Sequence, residues 1–559
     1  MAPNKGDDLE ENEKIDVYGN PFKTIAKVTE KIQCTTNKLN KKCDTTSKLN
    51  YSKERKSDEA KIQERKNDEA KIQTPLYLAI FGYISYTFLF CVSWIRELIY
   101  GLGPHRGRNR HRFLERCREG YAPLYASFES FYVRNVYRRI ADVFGNTIAS
   151  VPGATVKVVE RISDDDNWTF KFKEGGGKEC INLASYNYLG FAENEGHCTE
   201  QSIIALTENG VASCGSQHEL GAKEIHAKLE NTVARFLGVE DSIAVGMGFA
   251  TNTLNLPCLV SKGCLVVSDE FNHASLILGL RLSGATVKVF KHNNVANMEQ
   301  ILRNAIIKGQ PRTNRPWKKI LIVVEGIYSM EGSICRLPEI ITLKKRYGAY
   351  IYLDEAHSVG AMGPNGRGIV DYFGIDPKDV DLMMGTFTKS FGAAGGYIAG
   401  SKSLINYLRV YSQAKCYSTT ISPPVANQII SSMECIINKE LGGIERIQQL
   451  ARNAKYFRKR LKQMGFIVYG NNDSPVVPMM LFMPAKIQAF VVECLERGVA
   501  TVGVGFPATN MTEERVRFCI SAGHTKKMLD KALKVIDIVG GYINCKYTKQ
   551  LPNQEEIVY

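Results

Sequence analysis

Fifteen cysteines are spread over 559 residues without one C-x-x-C spacing, and their number is odd. That excludes a disulfide framework and the paired spacings of a zinc ribbon. Reduced thiols facing the cytosol are the simplest account. No glycine-rich loop ends in Gly-Lys-Ser or Gly-Lys-Thr, so a Walker phosphate loop is missing as well. Long apolar runs are scarce. The one that reaches bilayer length is residues 76–95, "LYLAIFGYISYTFLFCVSWI", which carries no charge. Tyrosines and Trp94 near its ends suit a membrane interface. It starts too deep in the chain to be a cleaved secretory signal. We read residues 76–96 as a transmembrane helix, with a buried core helix or an interfacial helix as the alternatives. Five Lys or Arg residues lie within twenty residues on either side, so the positive-inside rule leaves its orientation open.

Apolar residues make up 44% of the chain and charged residues 23%, the composition of a globular protein. The net charge of +14 is uneven: residues 1–118 hold 23 basic and 16 acidic residues. "GPHRGRNRHRFLERCR" (103–118) has six arginines against one glutamate. Beside a membrane segment such a cluster suits anionic headgroups better than nucleic acid. Residues 1–75 are polar and repeat "DEAKIQ" at 58–63 and 68–73, which reads as a solvated helix or disorder. Residues 119–150 are amphipathic and aromatic-rich, suited to packing on the body or lying along a membrane.

From about residue 180 short apolar runs alternate with helical stretches. The predicted strands are 242–246, 264–269, 286–292, 320–326, 349–355, 382–387 and 397–401. Near-continuous apolar strands separated by helices predict an α/β fold, with a mostly parallel seven-stranded sheet covered on both faces. In such sheets ligands bind beyond the carboxyl ends of the strands. After about 430, long helical patterns with strands at 474–483 and 515–521 predict a smaller α+β domain. The expected organisation is a polar tail (1–75), the membrane helix (76–96), a basic and amphipathic segment (97–178), a large domain (179–430), a small domain (431–545) and a tail (546–559).

The chemistry gathers at predicted strand ends. "GTFTKSFGAAGGYIAG" (385–400) sets Lys389 between hydroxyls and glycines. "YIYLDEAHS" places Asp354 at a strand end and His357 three residues on. "GMGFATN" (246–252) follows one strand and opens a helix, whose free N–H groups suit a phosphate. "SDEFNHASL" puts His273 beyond another strand, and "VEGIYSMEG" does the same for Ser329. Taken singly, each has an ordinary reading: a helix cap for Asp354, loop histidines, a glycine turn. Together they supply a nucleophilic lysine, an acid for a ring nitrogen, a stacking imidazole, hydroxyls and a phosphate cradle. That set fits pyridoxal 5'-phosphate (PLP), whose aldehyde a lysine of lowered pKa can take up.

On these residues, and on "INLASYNYLGFA" (181–192), "YLDEAHSVGAMGPNGRG" (352–368), "SPVVPMMLFMPAK" (474–486), "VGFPAT" (504–509) and "RVRFCISAGHT" (515–525), the sequence resembles the α-oxoamine synthases. These are fold-type I PLP-dependent transferases that condense an amino acid with an acyl-CoA and release CO2. The resemblance runs from about 120 to 545. The upstream membrane segment points to the branch that joins L-serine to palmitoyl-CoA, giving 3-oxosphinganine at the endoplasmic reticulum membrane, with the catalytic domain in the cytosol.

The resemblance implies roles. Lys389 would be the Schiff-base lysine and proton shuttle. Asp354 would pair with the pyridinium nitrogen, His357 and Ser329 would lie near the ring oxygen, and His273 would stack on the ring. Thr386 and the backbone of Gly248 and Phe249 would hold the phosphate. Asn187 and Arg517 would hold the amino-acid carboxylate. No metal is implied, and no nucleic acid. A heterodimer with a related first subunit lacking the lysine is implied, with "CYSTTISPP" (416–424) as a contact and room for small regulatory membrane subunits. In "CGSQHELG" (214–221), Gln217 stands where this branch leads us to expect an arginine, which bears on acyl-CoA or partner contacts. The competing readings are a glycine-using α-oxoamine synthase and a non-catalytic membrane scaffold. Retention of Lys389, Asp354 and His357 argues against the scaffold.

Overall fold

The computed structural model of the chain describes residues 74–102, 131–132, 135–137, 145–164, 169–548 and 559. The polar tail with its DEAKIQ repeat, the arginine cluster at 103–118 and most of 119–150 lie outside the described residues.

The apolar run forms helix α1 (Leu76–Leu102), and its Leu76–Ile99 stretch is long and apolar enough to cross a membrane. It continues past the expected end because Arg96-Glu97-Leu98-Ile99 carries no helix breaker. One face lies on the C-terminal part of the molecule. Leu78 and Tyr86 are buried, and Tyr86 donates its hydroxyl proton to Glu514. Gly82 allows the close approach: a Cβ there would sit 3.3 Å from the Phe482 carbonyl oxygen. The other face, with Ile80, Phe81, Ile84 and Phe88, is exposed.

Two strands, β1 (Thr155–Val158) and β4 (Lys178–Asn182), flank the short hairpin β2 (Arg161–Ile162) and β3 (Lys171–Phe172). The central sheet follows with seven strands: β5 (Asp241–Val245), β6 (Leu265–Asp269), β7 (Thr286–Phe290), β8 (Ile320–Glu325), β9 (Tyr350–Asp354), β10 (Leu382–Thr386) and β11 (Gly396–Gly400). Their spatial order is β5-β11-β10-β9-β8-β6-β7. Strand β11 alone runs antiparallel to its neighbours, and the other ladders are parallel. The sheet is therefore mostly parallel, as its apolar runs predict. β6 and β10 are buried at every position because helices cover both faces.

The C-terminal part holds β12 (Val476–Met480), β13 (Val499–Ala500), β14 (Val502–Val504) and β15 (Arg515–Cys519). Strands β12, β15 and β14 form one antiparallel sheet, and β13 joins β4 and β1 in another. A strand early in the chain thus pairs with one some 320 residues later, Ile181 opposite Val499. That pairing carries the segment around Tyr186 and Asn187 to the mouth between the central sheet and the C-terminal part. It lies beside β15, where the Cys519 N–H donates to the Leu183 carbonyl.

Candidate active site

Because β5, β6, β8, β9 and β10 point the same way, their carboxyl ends share one edge, where Gly248, His273, Ser329, Asp354 and Lys389 gather. Register fixes the neighbours: Asp354 at the end of β9 stands opposite Glu325 of β8 on one side and Met384 of β10 on the other. Three residues past β10, Lys389 rises from a turn at the floor of the cleft. Burial pulls its pKa from 10.5 to about 8, against the opposing pull of Asp354 and Glu325. The ring of Tyr186 lies 5.6 Å from its Nζ.

Both Asp354 oxygens accept hydrogen bonds. Oδ1 takes the Ala356 N–H (2.9 Å) and Oδ2 takes Asn252 Nδ2 (2.8 Å). The neighbouring Glu325 is fully buried. Burial first, then the Asp354 charge, pushes its carboxyl well above the usual range. Glu325 also accepts the backbone N–H of His273. His273 caps α3 (Ala274–Ser283) and its Nδ1 meets Ser275 Oγ at 2.7 Å. Burial, and behind it the Lys389 charge, lowers the His357 imidazole well below its ordinary value; its Nδ1 meets the Tyr188 hydroxyl at 2.8 Å.

Across the cleft, Arg517 projects from β15. It donates to Ser329 Oγ at 2.8 Å and to the Tyr186 hydroxyl, while its Nε is buried without a partner. A buried arginine with one unmatched donor suits a carboxylate. The amide of Asn187 is otherwise engaged: Nδ2 donates to the Pro152 carbonyl (3.0 Å) and Oδ1 accepts the Ala192 N–H (3.3 Å). Asn187 therefore holds the 187–192 turn, and Tyr186 is the residue that stands beside Arg517.

The fit to PLP can be judged on three features. The Thr386 hydroxyl is buried and has no partner. Helix α2 (Gly248–Leu259) begins right after β5, with no side chain capping its free N–H groups. A Cβ on Gly248 would stand 3.0 Å from Thr386 Cγ2, so glycine lets that helix end and that hydroxyl converge without strain. The three make an anion cradle of phosphate character beside a lysine of lowered pKa. The residues present fit the cofactor.

The 214–221 loop and the 416–424 segment meet through a bridge between Ser216 and Thr419. Gln217 Oε1 is buried there without a partner. The same corner exposes Leu220 (95%) and Tyr417 (85%), with Met247 and Phe249 exposed at the start of α2.

This sheet, this lysine and this cradle define a PLP enzyme of the aminotransferase type, and the family model "Aminotransferase class I and II" matches residues 178–536. The chain belongs to the serine palmitoyltransferase family within it. It is 54% identical to serine palmitoyltransferase 2 of Caenorhabditis elegans over 470 residues, covering 84% of each chain. It is 49% identical to serine palmitoyltransferase 3 of Homo sapiens, covering 87% of this chain and 88% of that protein. Among solved structures, a serine palmitoyltransferase from S. paucimobilis with a bound PLP–myriocin aldimine superposes with a TM-score of 0.66 at 25% identity. That match covers 75% of this chain and all of that one.

Sequence reasoning missed Tyr186, Asn252, Ser275 and Glu325. All four lie inside motifs the sequence displays, so their positions were visible but not their roles. Asn252 and Ser275 sit near the starts of helices, where a polar residue reads as ordinary.

Proposed function

We propose that this chain is the catalytic chain of a serine palmitoyltransferase. It condenses L-serine with palmitoyl-CoA to give 3-oxosphinganine, CoA and CO2, the first step of sphingolipid biosynthesis. The observation that carries the reading is the convergence of Lys389, Asp354 and Arg517 on one cleft, in a chain of this family. PLP, when bound, supplies the electron sink for a carbanion at the amino-acid α-carbon.

The chain's residues do the rest. The Lys389 amine, near pKa 8, is poised to bind the cofactor aldehyde, then to take the α-proton and return it. Asp354 would hold a proton on the cofactor's ring nitrogen. Thr386 and the N–H groups of Gly248 and Phe249 would hold its phosphate. His273, His357 and Ser329 would line the place of its ring. Arg517, oriented by Tyr186 and Ser329, binds the serine carboxylate, with Asn187 shaping the turn beside it.

The exposed corner of Leu220, Tyr417, Met247 and Phe249 supports an apolar contact with a serine palmitoyltransferase subunit 1-like chain as a heterodimer. The length and exposed apolar face of α1 support anchoring in the endoplasmic reticulum membrane, with small regulatory membrane subunits as further neighbours. Free thiols among the described cysteines support a cytosolic catalytic domain. The deciding experiment is a visible-absorbance titration of the protein co-purified with its partner. A cofactor band that saturates with L-serine, answers weakly to glycine and is lost in Lys389→Ala fits the proposal. A band answering to glycine assigns a different branch of the family.

A further inference from the structure

Asn252 lies one turn into α2, buried, and no role in binding falls to it. Its side chain nevertheless joins the two groups that flank the cofactor position. Its Nδ2 donates one hydrogen to Asp354 Oδ2 (2.8 Å) and the other to Ser275 Oγ (2.9 Å). Its Oδ1 accepts the Tyr352 hydroxyl at 2.7 Å. The amide can point only this way, because the flipped form would set its oxygen against the Asp354 carboxylate.

The direction of the next bond follows. The Ser275 backbone N–H donates to His273 Nδ1 at 3.3 Å, so that nitrogen is an acceptor. The Ser275 hydroxyl, which accepts from Asn252, stands 2.7 Å from the same nitrogen and turns its own hydrogen to it. An imidazole nitrogen met by two donors carries no hydrogen itself. The single ring proton of neutral His273 is thereby directed to Nε2, which has no partner among the described residues.

We propose that Asn252 is a positioning residue that couples Asp354 to His273: through Ser275 it fixes the His273 tautomer with the proton on Nε2, while its other hydrogen orients the Asp354 carboxylate toward the cofactor nitrogen. Burial also favours the neutral imidazole, since His273 is lowered from its ordinary value. The charged and titratable groups that face it are Asp354, Glu325, Lys389 and His357. The inference rests on the function proposed above, because the coupling matters only if a heteroaromatic cofactor lies between the two groups.

The relay has two arms, and two substitutions separate them. Asn252→Ala disturbs both arms, and Ser275→Ala only the histidine arm. Each would be made in the full chain with its partner. Three quantities would be read: the PLP dissociation constant of the apoprotein, the pH midpoint of the visible band without substrate, and the KM for serine. Asn252→Ala should shift the midpoint by about one pH unit, tenfold in proton affinity, and weaken PLP binding. Ser275→Ala should raise the KM for serine and leave the midpoint in place. Tyr352→Phe, which frees the Asn252 amide, should reproduce a smaller part of the Asn252→Ala shift, and it carries the test if Asn252→Ala does not fold. An unmoved midpoint with unchanged PLP affinity in Asn252→Ala and Tyr352→Phe overturns the proposal. So does an equal midpoint shift in Ser275→Ala. A wild-type protein without any visible band refutes the cofactor reading instead, which keeps the two failures apart.

Discussion

The guanidinium carbon of Arg517 lies 4.8 Å from the centre of the Tyr186 ring, and the same ring lies 5.6 Å from Lys389 Nζ. One tyrosine thus sits between the group that would bind the substrate carboxylate and the group that would move its proton. Arg517 is held from both sides, by the Tyr186 hydroxyl and by Ser329, so its planar fork is set before a ligand arrives. Arg517→Lys keeps the charge and loses the fork. We expect the KM for serine to rise about tenfold or more, the KM for palmitoyl-CoA to hold, and the visible spectrum to stay unchanged. Steady-state kinetics with each substrate varied in turn checks this, and an unchanged KM for serine would place the carboxylate elsewhere.

Lys389 makes a prediction about pH. Its folded pKa of about 8 lies below the 10.5 of a free lysine, so the neutral amine dominates above pH 8 and falls away below it. The rate at which apoprotein recaptures PLP should climb about tenfold per pH unit below 8 and level off above it. Stopped-flow absorbance between pH 6.5 and 9.5 reads the profile directly. A rate still climbing past pH 9.5 would mean an ordinary, solvated lysine. Lys389→Ala should lose all turnover yet still co-purify with the partner chain.

What could be read from the sequence followed from locality. Buried parallel strands appear as unbroken runs such as "ILIVVEG", and their ends announced Asp354, Lys389 and His273 before any fold was known. Pairings between distant segments had no such sign. Nothing near Ile181 announces Val499 as its partner, and Tyr186 acquires its place only because Arg517 arrives from 331 residues away. Asn252 was hidden for the opposite reason: a buried amide on a helix looks the same whether it fills space or relays a hydrogen bond.

The cradle is open to a paired test. A Cβ at position 248 would stand 3.0 Å from Thr386 Cγ2 and 3.4 Å from the Gly395 carbonyl, so Gly248→Ala presses on the cradle from within. PLP affinity should fall about tenfold, with the fold retained. Thr386→Ser removes the offending methyl and keeps the hydroxyl, so the double variant should regain much of the loss. Equilibrium binding of PLP to the three apoproteins decides it, and absence of rescue would mean that the alanine acts by another route.

Removal of residues 1–100 takes away α1 with its exposed face of Ile80, Phe81, Ile84 and Phe88. Membrane association should weaken while bound PLP persists, because the central sheet and its cleft remain. Flotation with liposomes, with the visible band as an internal check, measures both. A truncated chain that stays fully membrane-bound would assign the anchor to the partner or to residues 119–150.

Glu514 ties α1 to the C-terminal part and pays out in pH dependence. Burial lifts its carboxyl from 4.5 to about 8, against the smaller opposing effect of the Tyr86 hydroxyl bond. A carboxyl with a raised folded pKa takes up a proton on folding between those two values. Its contribution is therefore full below the unfolded pKa and is lost as pH rises toward 8. Glu325 and Glu355 are raised as well, so the wild-type slope is a sum and only a difference isolates one group. Glu514→Gln should flatten the decline in Tm from pH 5 to 8.5, with the gap between variant and wild type widest at the alkaline end. Differential scanning in detergent across that range reads it. Parallel curves would show that Glu514 is already ionised beneath the helix, and that Tyr86 meets a carboxylate there instead of an acid.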